Sequence, residues 1–143
     1  MSVSLLIASN RLPVTVEVAE DAEIATSPSS GGLVSALRGL DEPHLWVGWP
    51  GAAVPEERER DVAAALREDG LYPVFLSDAD AEGYYTRISN ETIWPLLHYF
   101  VGRLRFSDDA WASYVAVNDR FADTIASVAA PGARRARGRG GSR

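Results

Sequence analysis

A mostly apolar run near the start of the chain, Val3–Ala8, is interrupted only by Ser4 and stops abruptly at the polar pair Ser9-Asn10. Apolar residues in succession, without the polar alternation of a half-exposed strand, are typical of a strand that is buried on both faces. Parallel sheets contain such strands, because the crossovers that join parallel strands cover both faces with helices. The run therefore predicts a buried parallel strand.

Later segments also have the length and composition of strands. Residues 14–18 alternate valine with polar residues and, together with Ile24 beyond a break, predict a short hairpin. Leu45–Trp49 predicts a second buried strand, and Leu71–Leu76 predicts a third.

Helical segments alternate with these strands. The predicted helices are Gly31–Leu40, Pro55–Asp69, Asn90–Val101 and Asp108–Ala129. The third carries apolar residues nearly all round, so we expect it to be buried. The fourth has apolar residues at three- and four-residue steps, as a long amphipathic helix does. Strands alternating with helices predict an α/β fold, a parallel sheet with flanking helices.

The chain has 143 residues, a length that suits one domain rather than two. We place this domain at residues 1–130. Residues 131–143 are rich in arginine and glycine and contain no apolar residue larger than alanine. We therefore expect the tail to be disordered, because it cannot bury enough apolar surface to offset its conformational entropy.

Charge is distributed unevenly along the chain. All 14 basic residues are arginine, and five of them lie in the last ten positions. The preceding 133 residues hold nine arginines and 20 acidic residues, a net charge of −11. An acidic body is a poor binder of nucleic acid, so we predict no nucleic-acid partner. RNA binding through the tail is the competing hypothesis, and it requires salt-sensitive binding that deletion of residues 134–143 abolishes.

Cysteine and histidine usage excludes several kinds of site. The chain has no cysteine, which rules out disulfides and thiolate metal sites and fits a reducing cytoplasm. His44 and His98 have no second ligand at a useful spacing, so we predict no metal and no cofactor. The sequence has no signal-peptide pattern and no stretch near the roughly 20 apolar residues of a membrane span, so we expect a cytoplasmic protein.

Short motifs of polar and aromatic residues follow one another along the chain. They are Ser9–Pro13, Ser27–Leu33, Leu45–Gly51, Tyr84-Tyr85, and Ser89-Asn90 ahead of Ile93–Tyr99. In this order and spacing they resemble the N-terminal part of the trehalose-6-phosphate synthases, retaining glycosyltransferases of family 20 with the GT-B fold. The resemblance implies an incomplete N-terminal Rossmann-like domain on the acceptor side. It also implies transfer of glucose from a nucleotide sugar (UDP-glucose) to glucose 6-phosphate in trehalose biosynthesis.

Arg11 follows the first predicted strand at its carboxyl end, where open α/β sheets bind ligands. Its guanidinium offers a planar fork of N–H donors to phosphate oxygens, although a surface salt bridge would use the same group. The resemblance implies the first role, because in the family the arginine of the Ser-Asn-Arg motif binds the phosphate of glucose 6-phosphate.

Gly31 and Gly32 stand at the start of the predicted helix Gly31–Leu40. Two glycines let a ligand approach the backbone closely, and the free N–H groups of a helix start favour an anion. Glycine pairs are common in turns, so the pattern alone is weak. The resemblance implies that these two residues contact the nucleotide-sugar donor.

Aromatic residues complete the expected acceptor site. The resemblance implies that Tyr85 binds the acceptor and that Trp94 shapes the same site. A phenol can hydrogen-bond phosphate or a sugar hydroxyl, and an indole face can stack on a sugar ring. We interpret Tyr84 and Trp46 as packing residues.

Complete members of the family continue with motifs that these 143 residues lack, among them a His-Asp-Tyr-His motif and the cations that hold the donor phosphates. We therefore expect a truncated synthase with no catalytic residue of its own and no turnover by this chain alone. We also expect an exposed edge strand and uncovered apolar helix faces. The alternative is a non-catalytic sugar-phosphate-binding remnant or a regulatory partner of a full-length synthase, and a homo-oligomer fits either hypothesis.

Overall fold

The computed structural model describes residues 5–19, 23–29, 32–37, 40 and 42–129. Its strands are β1 (Leu5–Arg11), β2 (Val14–Val18), β3 (Ile24–Pro28), β4 (His44–Trp49) and β5 (Leu71–Pro73). Its helices are α1 (Gly32–Leu37), α2 (Glu56–Glu68), α3 (Asp78–Ala81), a π-helix (Glu82–Ile93), α4 (Trp94–Leu97), a 3₁₀ turn (Val101–Arg103) and α5 (Asp108–Ala129). The predicted tail at residues 131–143 lies outside the described residues.

A three-stranded parallel sheet in the order β1-β4-β5 carries the fold, and β2 and β3 form a separate antiparallel hairpin. The predicted α/β class, with a parallel sheet flanked by helices, is confirmed. The third strand is shorter than the predicted Leu71–Leu76. The N–H of Val74 still donates to the carbonyl of Gly48 at 2.9 Å, but β4 ends at Trp49 and offers no backbone partner to the residues beyond.

The central strand, β4, is buried on both faces. Leu45 and Val47 point into one core, which α5 covers with Val117 and Phe121. Trp46 points into the opposite core, where it packs with residues of β2, α1 and α2. Side chains alternate between the faces of a strand, so consecutive apolar residues supply both cores at once.

A groove follows the outer edge of β5. The N–H of Val74 turns toward β4, so the alternate residues Pro73 and Phe75 present their backbone to the open side. Two cavities of about 570 and 440 Å³ lie along this edge and share Pro73, Phe75 and Thr124. Within the described part of the chain the sheet therefore ends in an uncovered edge strand, as expected.

The predicted helix Asn90–Val101 differs from the structure in both type and burial. Residues 82–93 form a π-helix, in which the hydroxyls of Ser89 and Thr92 donate to carbonyls five residues back, at 2.8 and 3.1 Å. Regular α-helix resumes only at Trp94–Leu97. The expectation of a buried helix was wrong, since Leu97 is 69% exposed and Tyr99 is 90% exposed.

Pro95 lies where the π-helix gives way to α4. A proline has no N–H, so the carbonyl of Glu91, one α-turn earlier, lacks its helical donor. The N–H of Arg105 supplies one instead at 3.0 Å, which folds the following loop back against the π-helix. Tyr99 then adopts a φ of 61°, the left-handed conformation that commonly ends a helix.

The carboxylate of Asp80, in α3, connects this helix to α5 through a hydrogen bond from Arg120. This contact provides a test of the fold. The same carboxylate accepts hydrogen bonds from the backbone N–H and the hydroxyl of Ser77 in a capping box, and from Arg120 of α5 at 2.7 Å. Burial raises the pKa of Asp80, but the hydrogen bonds from Arg120 and Ser77 outweigh burial and lower it on balance. The carboxylate therefore stabilises the fold above the ordinary pKa of 3.8, and the gain is lost as the pH falls through the lower folded value.

Substitution Asp80→Asn should lower the free energy of unfolding at pH 7 by about 1 kcal/mol, a modest figure because Arg120 is half exposed. Urea unfolding followed by circular dichroism at several pH values measures this difference, which should shrink below pH 4. Asp78→Asn, in the same helical turn, is the control and should change stability by a few tenths of a kcal/mol. A deficit of Asp80→Asn that persists unchanged in acid would contradict the assignment.

Candidate functional site

Arg11 lies at a bulge where β1 meets the end of β4. The two strands pair residue by residue from Leu5 to Ala8, and then three residues of β1 oppose two of β4, so that Arg11 pairs with Trp49. A bulge bends its strand and re-aims the side chains beyond it. The bulge therefore brings an arginine and an indole together at the carboxyl edge of the sheet.

A relay of hydrogen bonds fixes this bulge. The buried indole of Trp46 donates from Nε1 to Oγ of Ser9 at 2.6 Å. The Ser9 hydroxyl in turn donates to the carbonyl of Arg11 at 2.7 Å. The backbone of Arg11 is thus connected through Ser9 to the core of the protein.

The half-buried guanidinium of Arg11 contacts the side chains of Thr15 and Trp49. Its Nη2 donates to the hydroxyl of Thr15 at 3.1 Å, and its Cζ lies 5.5 Å from the ring centroid of Trp49. A cation at this distance over an indole is attracted by the negative face of the ring. No described carboxylate forms an ion pair with Arg11, so the surface salt bridge that the sequence left open is not present among these residues.

Buried polar atoms without partners occur on residues of this segment of β1 and β4. Among the described residues, the buried side-chain atoms without a hydrogen-bond partner are Asn10 Oδ1, Arg11 Nε and Trp49 Nε1. Buried polar atoms are nearly always paired, so such atoms need an explanation. The two nitrogens are donors and the amide oxygen is an acceptor, a combination that matches a ligand carrying both an anion and a hydroxyl group.

Tyr85 belongs to this cluster and Tyr84 to the core behind it. The ring of Tyr85 lies 6.1 Å from that of Trp49. Tyr84 is buried and stacks on Tyr114 at 5.5 Å, which agrees with its interpretation as a packing residue. Burial raises the pKa of Tyr84, the nearby Tyr114 raises it further, and a hydrogen bond from Asn10 opposes both.

Trp94 lies in a different aromatic group. Its ring stacks on His98 at 4.1 Å and on Phe100 at 5.8 Å, and half of the residue is exposed. Within the part of the chain that the structure describes, no ring contact joins Trp94 to Trp49 or Tyr85. The structure therefore brings Arg11 and Tyr85 together through Trp49 but does not add Trp94 to them.

The structure describes only one of the two residues predicted to bind the donor. Gly32 is the first residue of α1, and Gly31 lies outside the described residues. Their role in donor binding stays a prediction.

Sequence reasoning assigned no ligand role to Asn10, Thr15, Trp49 or Gly51, although all except Thr15 stand in the quoted motifs. Their proximity to Arg11 depends on which strands pair and in what register. The available signal was that Arg11 and Trp49 each end a predicted strand of one parallel sheet, and carboxyl ends of parallel strands meet at one edge.

The 570 Å³ cavity beside β5 contains none of the predicted site residues. Its polar lining includes Glu59, Asp80 and Arg120. Burial and the charge of Glu56 raise the pKa of Glu59, while Arg120 lowers it. No group of three or more metal-ligating side chains occurs in the described ranges, and none of the helices described there is long and apolar enough to cross a membrane.

Comparisons with known proteins agree on one family. The family description that matches the chain, over residues 3–134, is Glycosyltransferase family 20. The alpha,alpha-trehalose-phosphate synthase (UDP-forming) of Pichia angusta is 43% identical over 129 residues, which are 85% of this chain and 27% of that protein.

Solved structures show the same relationship. A synthase (UDP-forming) from Burkholderia vietnamiensis matches with a TM-score of 0.63 and 32% identity, over 89% of this chain and 26% of that one. The synthase from Burkholderia xenovorans, solved in complex with glucose-6-phosphate, matches in fold with a TM-score of 0.59 and 22% identity, over 88% and 25%. The chain thus spans about a quarter of the length of these relatives.

The two tryptophans of β4 offer a matched test of the site. Trp46→Phe removes a donor that is hydrogen-bonded to Ser9, whereas Trp49→Phe removes a donor that has no partner in the protein. The first should lower the free energy of unfolding by about 2 kcal/mol and the second by less than about 1 kcal/mol. Urea unfolding followed by circular dichroism measures both, and equal costs would show that the Trp49 indole is as firmly paired as that of Trp46.

Proposed function

Because the chain belongs to glycosyltransferase family 20, we propose that it forms the acceptor side of an α,α-trehalose-phosphate synthase and binds glucose 6-phosphate at the edge where β1 meets β4. In this proposal Arg11 binds the phosphate and Tyr85 contributes its hydroxyl to the same ligand. The relative from Burkholderia xenovorans supports the choice of ligand, since it was solved with glucose-6-phosphate.

The observation that carries the proposal is the set of buried, unpartnered atoms beside Arg11. Arg11 Nε and Trp49 Nε1 are donors suited to phosphate oxygens, and Asn10 Oδ1 is an acceptor suited to a sugar hydroxyl. A sugar phosphate carries both groups in one molecule. A bare anion would satisfy the donors alone, and an uncharged sugar would use the arginine poorly.

Trp94 has a different role in the proposed acceptor site. Its indole lies in a separate aromatic group, so we assign it to the sugar side of the acceptor rather than to the phosphate. An exposed indole face stacks on the apolar face of a sugar ring without any charge requirement. Loss of Trp94 should then affect discrimination among sugars more than affinity for phosphate.

The transfer reaction is proposed for the whole family fold, of which this chain matches about a quarter. The names of the relatives specify UDP as the product, so the proposed donor is UDP-glucose, with Gly31 and Gly32 on its side of the site. Bringing donor and acceptor into contact is worth roughly 7–11 kcal/mol of the barrier. We therefore expect these 143 residues to bind the acceptor and to transfer glucose only together with the donor-binding part of the fold.

Titration of the chain with glucose 6-phosphate, followed by tryptophan fluorescence, tests the proposal, because Trp46 and Trp49 adjoin the site. Wild-type protein should give a saturable change, and Arg11→Ala should weaken binding by about 10- to 100-fold, the cost of a charge-assisted hydrogen bond. Arg60→Ala, on the exposed face of α2, is the matched control and should bind like the wild type.

Glucose and inorganic phosphate serve as competing probes. Each should bind more weakly than glucose 6-phosphate, since each offers only half of the complementary groups. Absence of a saturable response, or an equal loss in Arg60→Ala, would overturn the assignment of the acceptor to this edge.

A further inference from the structure

Gly51 lies against the guanidinium of Arg11. It follows β4 and has a φ of +85°, in the left-handed region where a side chain is strained. A Cβ built on it would lie 2.4 Å from Arg11 Nη2 and 3.2 Å from Arg11 Cζ. Only a glycine leaves room for the guanidinium in its present position.

Thr15 holds the same group from another direction. Its hydroxyl accepts a hydrogen bond from Arg11 Nη2 at 3.1 Å. The hairpin that carries it is attached to the segment before Gly51, because the N–H of Val16 donates to the carbonyl of Pro50 at 3.0 Å. Thr15 and Gly51 are thereby fixed in relation to each other.

Together with the Trp49 ring, these residues confine the guanidinium on several sides. A free arginine side chain samples many rotamers, and a ligand that must order it binds more weakly. An arginine already held by protein contacts loses less freedom when it binds, and Thr15 occupies only one of its five N–H donors. The Nε donor of Arg11 has no hydrogen-bond partner in the part of the protein that the structure describes.

We propose that Gly51 and Thr15 are positioning residues for Arg11, which fix its guanidinium for contact with the phosphate of the acceptor without touching the acceptor themselves. The inference rests on the proposed function of Arg11 as the phosphate ligand. It adds the reason why this arginine, among the many in the chain, is prepared for a phosphate group.

Gly51→Ala is the first test, with Gly70→Ala as its matched control. Gly70 ends α2 with a φ of +77°, so alanine there meets a similar backbone strain far from Arg11. Both variants should unfold at lower urea concentration than the wild type. Only Gly51→Ala should weaken binding of glucose 6-phosphate and of inorganic phosphate, each by about tenfold or more, because its Cβ displaces the guanidinium.

Thr15→Val and Thr15→Ser form the second test. Valine matches threonine in shape but cannot accept the hydrogen bond, so phosphate affinity should fall about 3- to 10-fold, the effect of one hydrogen bond. Serine keeps the hydroxyl and should restore near-wild-type affinity. A loss in both variants, or in neither, would overturn the role of the Thr15 hydroxyl.

A readout in the absence of ligand separates this inference from the proposed function. The Nε–H of Arg11 is buried, so its proton should exchange slowly with water in the wild type and rapidly in Gly51→Ala. Nitrogen-15 NMR of the Arg11 Nε–H group measures this exchange. If the wild type binds no glucose 6-phosphate, the proposed function fails, and the NMR exchange rate alone decides the positioning role. Slow exchange in Gly51→Ala, or phosphate affinity equal to that of Gly70→Ala, would overturn it.

Discussion

The pairing of β1 with β4 is the interaction on which the rest of the structure depends. It places β4, which is buried on both faces, at the centre of the sheet, and thereby creates the two cores that hold the helices. Its bulge also determines the site, because only with three residues opposite two does Arg11 reach Trp49. The pairing of β1 with β4 therefore determines both the fold and the proposed ligand-binding edge. A shift of its register would disrupt both.

Local patterns in the sequence predicted several strands and the long helices but not the contacts between them. The apolar run at the start predicted β1, and three- and four-residue periodicity predicted α5 with its observed bounds, because both signals lie within one segment. Trp49 was missed as the partner of Arg11 because pairing register and bulges depend on residues far apart in sequence. The burial of Asn90–Val101 was predicted wrongly. Apolar composition indicates that a segment favours burial, but it does not show whether another part of the protein covers that segment.

Two regions of the described chain leave apolar or backbone groups uncovered. One is the groove along β5, and the other is the aromatic surface that runs from Trp94 to Trp111. An exposed group of large apolar side chains, such as the one from Trp94 to Trp111, usually marks a contact with other protein. Both regions are distinct from the Arg11 edge. Covering them would therefore leave in place the contacts that already hold the arginine.

In the proposed acceptor site, the phosphate half is a local property of the β1–β4 edge. Every contact that fixes Arg11, from Trp46 through Ser9 and from Thr15 to Gly51, lies within residues 9–51. Affinity for a phosphate needs only a prepared guanidinium and the unpartnered donors beside it. Glucosyl transfer needs in addition a donor held in line with the acceptor hydroxyl, and that alignment supplies much of the rate. The proposed binding and the transfer reaction of the family therefore make different demands: the first uses one edge of a three-stranded sheet, while the second also requires the donor-binding part of the family fold.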